Sequence, residues 1–321
     1  MKTILFALAS LVAACTANAT DDPSATESAS LDAHPAPAVI ARFDATKGEL
    51  PEGLAVRHGS AYVSFAPIAT IARVDANGEV TKYGEVPSTA GGTKGYTLGL
   101  AFDGDGALYV AQASFDPSVV PGIFRIPEGG GTATTPWASH PSMTFPNGLA
   151  FDASGALWIS DSGGAIFRAD RAGTTTEWKR DALLAYDGAA CANAPPFHVG
   201  ANGLVVTESD AWLTNTSTGA LVRIPIAKDG TAGAATAVVK DCALAGADGL
   251  ARERDGAFVV ALNAQNRLAR VDARGTFTTI AQGTSLDFPA SVAADEHAVW
   301  VTNAAFLSED KQPSLLLYRR P

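Results

Sequence analysis

One phrase recurs along the chain and limits what it can fold into. "PNGLA" at 146–150 returns as "ANGLV" at 201–205 and "ADGLA" at 247–251, with an earlier copy, "PEGLA", at 51–55. Aligned on that phrase, the residue before the glycine is Glu52, Leu98, Asn147, Asn202, Asp248 and, in a degenerate last copy, Ala290. The successive steps are 46, 49, 55, 46 and 42 residues, the period of four-stranded propeller blades. Each copy repeats one grammar: an apolar run, a polar turn, a run with an aromatic residue, then two further runs. Blade three shows it as "GLAF", "DASG", "ALWIS", "AIFRAD" and "TTTEWKR". Asp-Gly, Asn-Gly and Ser-Gly pairs supply the positive φ of tight hairpins, and no segment of helical period competes.

The expected fold is all-β: one six-bladed β-propeller over residues 38–321. The last copy ends one strand short at Pro321. "AVIARFDA" at 38–45 reads as a strand with no blade of its own, so it is expected to complete the last blade and remove an open sheet edge. The aromatic residues of the second strands, Tyr62, Tyr109, Trp158, Trp212 and Trp300, are expected to pack between blades.

The N-terminus places the chain in the cell. Lys2, a short apolar run and "VAAC" ending at Cys15 have the form of a secretory signal, not a membrane span. The ending resembles a bacterial lipobox, which makes Cys15 the lipidated residue; ordinary cleavage nearby is the other reading. Residues 16–37 are small, polar and acidic, as a flexible tether should be. The expectation is an exported protein of the bacterial envelope, a periplasmic or outer-membrane lipoprotein that meets the membrane only through its anchor and is otherwise a monomer. Export permits a disulfide between the remaining cysteines, Cys191 and Cys242, with two free thiols as the alternative. A net charge of −10 and a pI near 4.9 exclude a nucleic-acid footprint, which needs basic surface.

In a propeller the first strand of each blade lines the central channel. Glu52, Asn147, Asn202 and Asp248 are then expected to converge on one opening, with Leu98 and Ala290 as gaps. Two carboxylates and two amides suit a hard divalent cation, calcium first, with zinc or manganese as alternatives. Asn-Gly and Asp-Gly also form turns, but glutamate has no such role. The ordered set resembles the SMP-30/gluconolactonase/luciferin-regenerating-enzyme family of six-bladed propellers, which carries Glu, Asn, Asn and Asp on blades one, three, four and five around a metal. The resemblance implies ligands at all four positions, with Asp248 also a candidate base, and a lactone or ester as small-molecule substrate. Where the sugar-lactone enzymes carry an arginine, two residues before the first asparagine, this chain has Phe145, which argues against an aldonolactone.

A carboxylate beside a cation is a weak base, so His198, in the longest inter-phrase step, is a second catalytic candidate. His140, Asp161, Asn215 and Asn303, with Gln112, are expected near the same face as substrate contacts or supports for the ligands. The leading expectation is a metal-dependent hydrolase. A non-catalytic propeller binding a small molecule or partner, and an envelope scaffold, are the competing readings.

Overall fold

The computed structural model describes residues 37–87, 95–114, 116, 118–295 and 297–319. The signal sequence, Cys15 and all but the last residue of the expected tether lie outside these. Six sheets of antiparallel strands succeed one another along the chain and close into a ring, a six-bladed β-propeller. The first strands are Pro51–Arg57, Gly95–Phe102, Pro146–Phe151, Ala201–Val206, Ala247–Arg252 and Pro289–Ala294. Blade six is completed as expected: Ala38–Arg42 pairs antiparallel with Ser314–Arg319 as its outer strand. The two ends of the described chain thus meet in one sheet, and neither carries a free inner edge.

Blade two fills its outer position differently from the others. Its three strands end at Gly122–Ile126, and the next segment makes only a single bridge between Ile123 and Ala138. Gly129, Gly130 and Gly131 all have positive φ, and Pro136 lacks a donor, so a regular fourth strand cannot run here. Gly131–Thr132 instead pairs parallel with Gly84 and Glu85 on the outer strand of blade one.

The core is distributed. Six apolar clusters form, each drawn from two neighbouring blades, including the closing pair of six and one. The second-strand aromatics lie in these seams. Tyr62 meets Phe102 at 4.7 Å, Tyr109 meets Phe151 at 5.0 Å and Trp212 meets Phe258 at 4.8 Å between ring centroids. Each sheet therefore buries both faces against its neighbours. At the centre of the disc, where the six first strands meet, four of the six slot residues are polar.

Candidate functional site

The recurring phrase has the same irregularity in every blade. The pairing of first and second strands shifts register between Pro51 and Leu54, Thr97 and Leu100, Pro146 and Leu149, Ala201 and Leu204, Ala247 and Leu250, and Pro289 and Val292. The slot residue and the residue after it, glycine in blades one to five and Ser291 in blade six, sit inside that bulge, a device that re-aims a side chain out of the pleat.

The glycine is explained by what faces it. A Cβ on Gly53 would lie 2.1 Å from the carbonyl oxygen of Leu98, and one on Gly99 2.2 Å from that of Asn147. For Gly148 and Gly203 the clash is 2.5 Å, with the Asn202 and Asp248 oxygens. Each glycine thus seats the slot carbonyl of the next blade.

Hydroxyls stitch four of the six junctions. Ser64 donates to the Leu98 carbonyl at 2.7 Å and accepts from Gly53 N–H at 2.8 Å. Ser160 donates to the Asn202 carbonyl, and Thr214 to that of Asp248 at 2.6 Å. Thr302 closes the circle on the Glu52 carbonyl at 2.9 Å. With the slot backbones held blade to blade, the four polar side chains are fixed around one opening, all of them buried.

A second tier sets their direction. Ser162 gives its single hydroxyl proton to the Ala201 carbonyl at 2.8 Å, and Thr216 gives its own to Ala247 at 2.9 Å. Each oxygen can then only accept from the neighbouring asparagine. Asn147 Nδ2 donates to Ser162 at 3.3 Å and Asn202 Nδ2 to Thr216 at 3.0 Å. The amide nitrogens are committed to the wall, which leaves the Oδ1 atoms for the opening. Asn263 Nδ2 donates to Asp248 Oδ2 at 2.8 Å. At this position blades one, two and six carry Ala66, Ala113 and Ala304. Polar support thus occurs on blades three, four and five alone, a signal present in the sequence that the slot-by-slot reading overlooked.

The electrostatics of the opening are those of a site lacking positive charge. Burial pushes the Asp248 carboxyl up to about 7, against hydrogen bonds from Asn263 and Asn202 that pull it down. Burial, and then the charge of Asp248, raise Glu52 well above its ordinary value. Neither carboxylate pairs with any described Lys or Arg. Two buried carboxylates and two inward-turned amide oxygens form a donor set that fits a hard divalent cation. Among the described residues no three of His, Cys, Asp and Glu gather as a metal site, so a nitrogen- or sulfur-rich centre has no counterpart here.

The remaining sequence candidates separate. Asp161 accepts from the N–H groups of Thr144, Phe145 and Gly163, each at 2.8 Å. Asn215 donates to Leu183 and Ala185 carbonyls at 3.0 and 2.8 Å and accepts from Ser217 and Thr218 N–H. Asn303 binds Ser285, Ser314 and Asp287, and Gln112 donates to the Pro87 carbonyl. Asp161, Asn215 and Asn303 are therefore clamps on the segments that enter each blade, with polar atoms spent on backbone and local hydroxyls rather than offered to a substrate. His140 bonds Ser142, which reaches Glu177 on the outer strand of blade three, and its ring lies 5.2 Å from Phe167. These contacts put it on the outer half of that blade. His198 is exposed and stacks on Tyr186 at 4.6 Å. Phe145 is half-buried against the cluster between blades two and three.

The loop carrying His198 is tied down. Cys191 and Cys242 form the expected disulfide, with Cα atoms 5.3 Å apart. A groove of about 770 Å3, lined in part by Asp210, Arg252, Arg270 and Arg274, lies among opposite-face hairpins and includes no ring residue. Four of its charges pair among themselves, Arg270 with Asp255 and Arg274 with Asp272 at 3.2 Å.

Solved structures share the architecture at low identity. Regucalcin of Agrobacterium tumefaciens, a calcium-binding protein, is 19% identical, with 89% of this chain and 95% of that one aligned at a TM-score of 0.63. Luciferin-regenerating enzyme is 13% identical over 88% and 94%, TM-score 0.62. Virginiamycin B lyase from Staphylococcus aureus is 15% identical over 85% of each chain, TM-score 0.52. At such identities the likeness is one of fold. No curated protein matches the sequence. Residues 58–261, more than half of the chain, match the family model described as a repeat of unknown function, DUF6923, and the chain belongs to that family.

Proposed function

We propose that the ring of Glu52, Asn147, Asn202 and Asp248 holds a divalent cation, calcium before manganese or zinc, and that the chain hydrolyses a lactone or ester at that opening. The observation that carries this reading is the donor set itself: two buried carboxylates with no cationic partner, and two amides whose nitrogens are committed elsewhere. The ordered resemblance to the SMP-30/gluconolactonase/luciferin-regenerating-enzyme family supports it, as does the shared fold with a calcium-binding relative. A bound cation would supply Lewis-acid polarisation of the substrate carbonyl.

The chain's own residues do the rest. Asn263 holds Asp248 Oδ2 in place, and the Asp248 carboxylate would orient or deprotonate an attacking water. The rigid bulges and the inter-blade hydroxyls keep the four donors in place without reorganisation. His198, near the end of the disulfide-tied loop, is the alternative proton acceptor. Export and lipid anchoring through Cys15 belong to the same proposal: an envelope hydrolase acting as a monomer.

The test is removal and return of the metal. The protein is stripped with a chelator, and hydrolysis of a lactone and aryl-ester panel is followed while calcium, manganese or zinc is restored singly. Turnover that vanishes and returns with one cation, and is absent in Asn202→Ala together with cation binding, supports the reading. Cation binding that raises the melting temperature with no turnover of any substrate replaces it with a non-catalytic binding propeller. Unchanged turnover in Asn202→Ala refutes it.

A further inference from the structure

The face that carries the ring also carries an aromatic patch for which the ring chemistry has no use. Phe197 stands on the segment 181–200 between blades three and four. Phe288 precedes the blade-six slot residue, Ala290, by two positions, and Phe306 follows that blade's second strand. Phe197 and Phe288 meet edge-on with centroids 6.1 Å apart, and Phe288 and Phe306 lie at 5.5 Å. Blades four and six are not neighbours. The contact joins the segment before blade four to blade six, on the two sides of blade five, whose first strand carries Asp248. Phe288, Ala290 and Ala304 form a small buried cluster with Phe306 packed on it, separate from the six inter-blade seams. Ala290 takes the slot that Glu52, Asn147, Asn202 and Asp248 occupy elsewhere, so this cluster borders the opening at one of its two apolar gaps.

Two independent features distinguish this patch from ordinary packing. The first is exposure. Phe197 keeps 39% of its surface, Tyr186 on the same loop 39%, and Leu307 beside Phe306 48%. Tyr186 and Phe197 are the only rings among the large apolar side chains left exposed in the described residues. The second is strain. Of the five described non-glycine residues with positive φ, three are Asn266, Phe288 and Ala305, which meet here. A bulky residue in the left-handed region is strained. It is held by Phe288 N–H on Asn266 Oδ1 at 2.8 Å, Ala304 N–H on the Phe288 carbonyl and Ala305 N–H on the Asp287 carbonyl, both at 3.0 Å. The loop opposite is held equally firmly, by the Cys191–Cys242 disulfide and by Asp187 N–H on Ser217 Oγ at 3.0 Å. Aromatic surface fixed in place and left open next to convergent polar groups has the composition of a small-molecule site.

We propose that Phe197, Phe288 and Phe306 form an apolar subsite beside Asp248 that takes the aliphatic or aryl arm of a small-molecule ligand. The placement of that ligand's carbonyl over the ring rests on the hydrolase reading; the affinity for the arm does not.

The experiment uses the full chain with calcium present and two readouts. The first is kcat/KM for p-nitrophenyl acetate, butyrate and hexanoate; the second is calorimetric binding of octanoate against acetate. Hexanoate is expected to exceed acetate by about 10-fold or more, since a single methylene in an apolar pocket is worth at least about 10-fold. That ratio is expected to collapse in Phe197→Ala, whose side chain is exposed and leaves no cavity, and in Phe306→Ala. Octanoate binding falls in parallel. A flat ester series, or a ratio and octanoate affinity unchanged in both variants, overturns the subsite while leaving the hydrolase standing. Should the unmodified protein cleave none of these esters, calorimetry alone decides the subsite, and the hydrolase reading is left to the lactone and ester panel. Octanoate preferred over acetate, with the preference lost in Phe197→Ala, upholds the subsite; equal binding of the two acids ends it.

Discussion

The hydroxyl of Thr302 donates to the backbone carbonyl of Glu52 at 2.9 Å, across 250 residues of chain. It also accepts from Ser291 N–H at 2.9 Å. One side chain thus joins the last blade to the first and fixes the backbone of a candidate cation ligand. Replacing Thr302 by valine keeps the shape and removes both bonds, leaving a buried carbonyl and N–H without that partner. The expected loss is about 2 kcal/mol of unfolding free energy, read as a lower urea midpoint at unchanged slope. A loss within error would mean that ring closure rests on the outer strand alone.

The glycines that seat the slot carbonyls should tolerate no side chain. In Gly148→Ala the new Cβ would lie 2.5 Å from the Asn202 oxygen and 3.0 Å from Ser160 Oγ. Relief requires blades three and four to separate at their most rigid contact, which costs about 3 kcal/mol. Gly104→Ala, where nothing lies within 4 Å of the Cβ, is the control. Urea unfolding of the pair should show a large shift for the first and little for the second.

Much of this was legible beforehand because it is periodic. The phrase around Asn147, Asn202 and Asp248 recurs at blade length, and the orphan strand at 38–45 has only one blade to complete. What the sequence could not show is neighbourhood across blades. Ser162 and Thr216 look like strand-end residues until the carbonyls of Ala201 and Ala247 are brought beside them. Asp161, Asn215 and Asn303 share the ring's face and read as site residues, yet the incoming segments use up their hydrogen-bonding capacity. His140 precedes Asn147 by seven positions, but its segment first follows the outer half of blade three. Phe197 and Phe288 lie far apart in sequence on non-adjacent blades, a pairing no local pattern signals.

The carboxylate pair predicts a pH dependence for the metal-free protein. Asp248 is raised to about 7 from an ordinary 3.8, and Glu52 is raised as well. Between those values the folded chain binds more protons than the unfolded one, so unfolding free energy falls as pH rises. The stabilisation is full below about pH 4 and lost as pH climbs through about 7. In chelator, the urea midpoint should drop between pH 5 and pH 7.5. Asp248→Asn should flatten that drop, and saturating calcium should oppose it. A midpoint that rises over this range would contradict the uncompensated pair.

The disulfide closes a loop with a sequence separation of 51 residues. Chain-entropy arguments put its upper contribution at about 4 kcal/mol. The bridge joins two segments on the ring face, so its loss should show locally as well. Cys191→Ser with Cys242→Ser is expected to lower the melting temperature and to raise amide exchange across residues 186–199 before the blade strands exchange. Uniform loss of protection would instead make the bridge a determinant of the whole fold.

The orientation of the asparagines gives the sharpest test of the cation site. Thr216 gives its one proton to the Ala247 carbonyl, so toward Asn202 it can only accept, which it does from Nδ2. In Thr216→Val the amide loses the contact that turns its oxygen toward the opening, while the volume of the side chain is retained. Supports of this kind are worth about 10- to 100-fold in metal affinity. Calorimetric titration with calcium should therefore show a loss of that order in Thr216→Val and recovery in Thr216→Ser. A merely structural role for the hydroxyl would lower the metal-free melting temperature and leave the calcium affinity where it was.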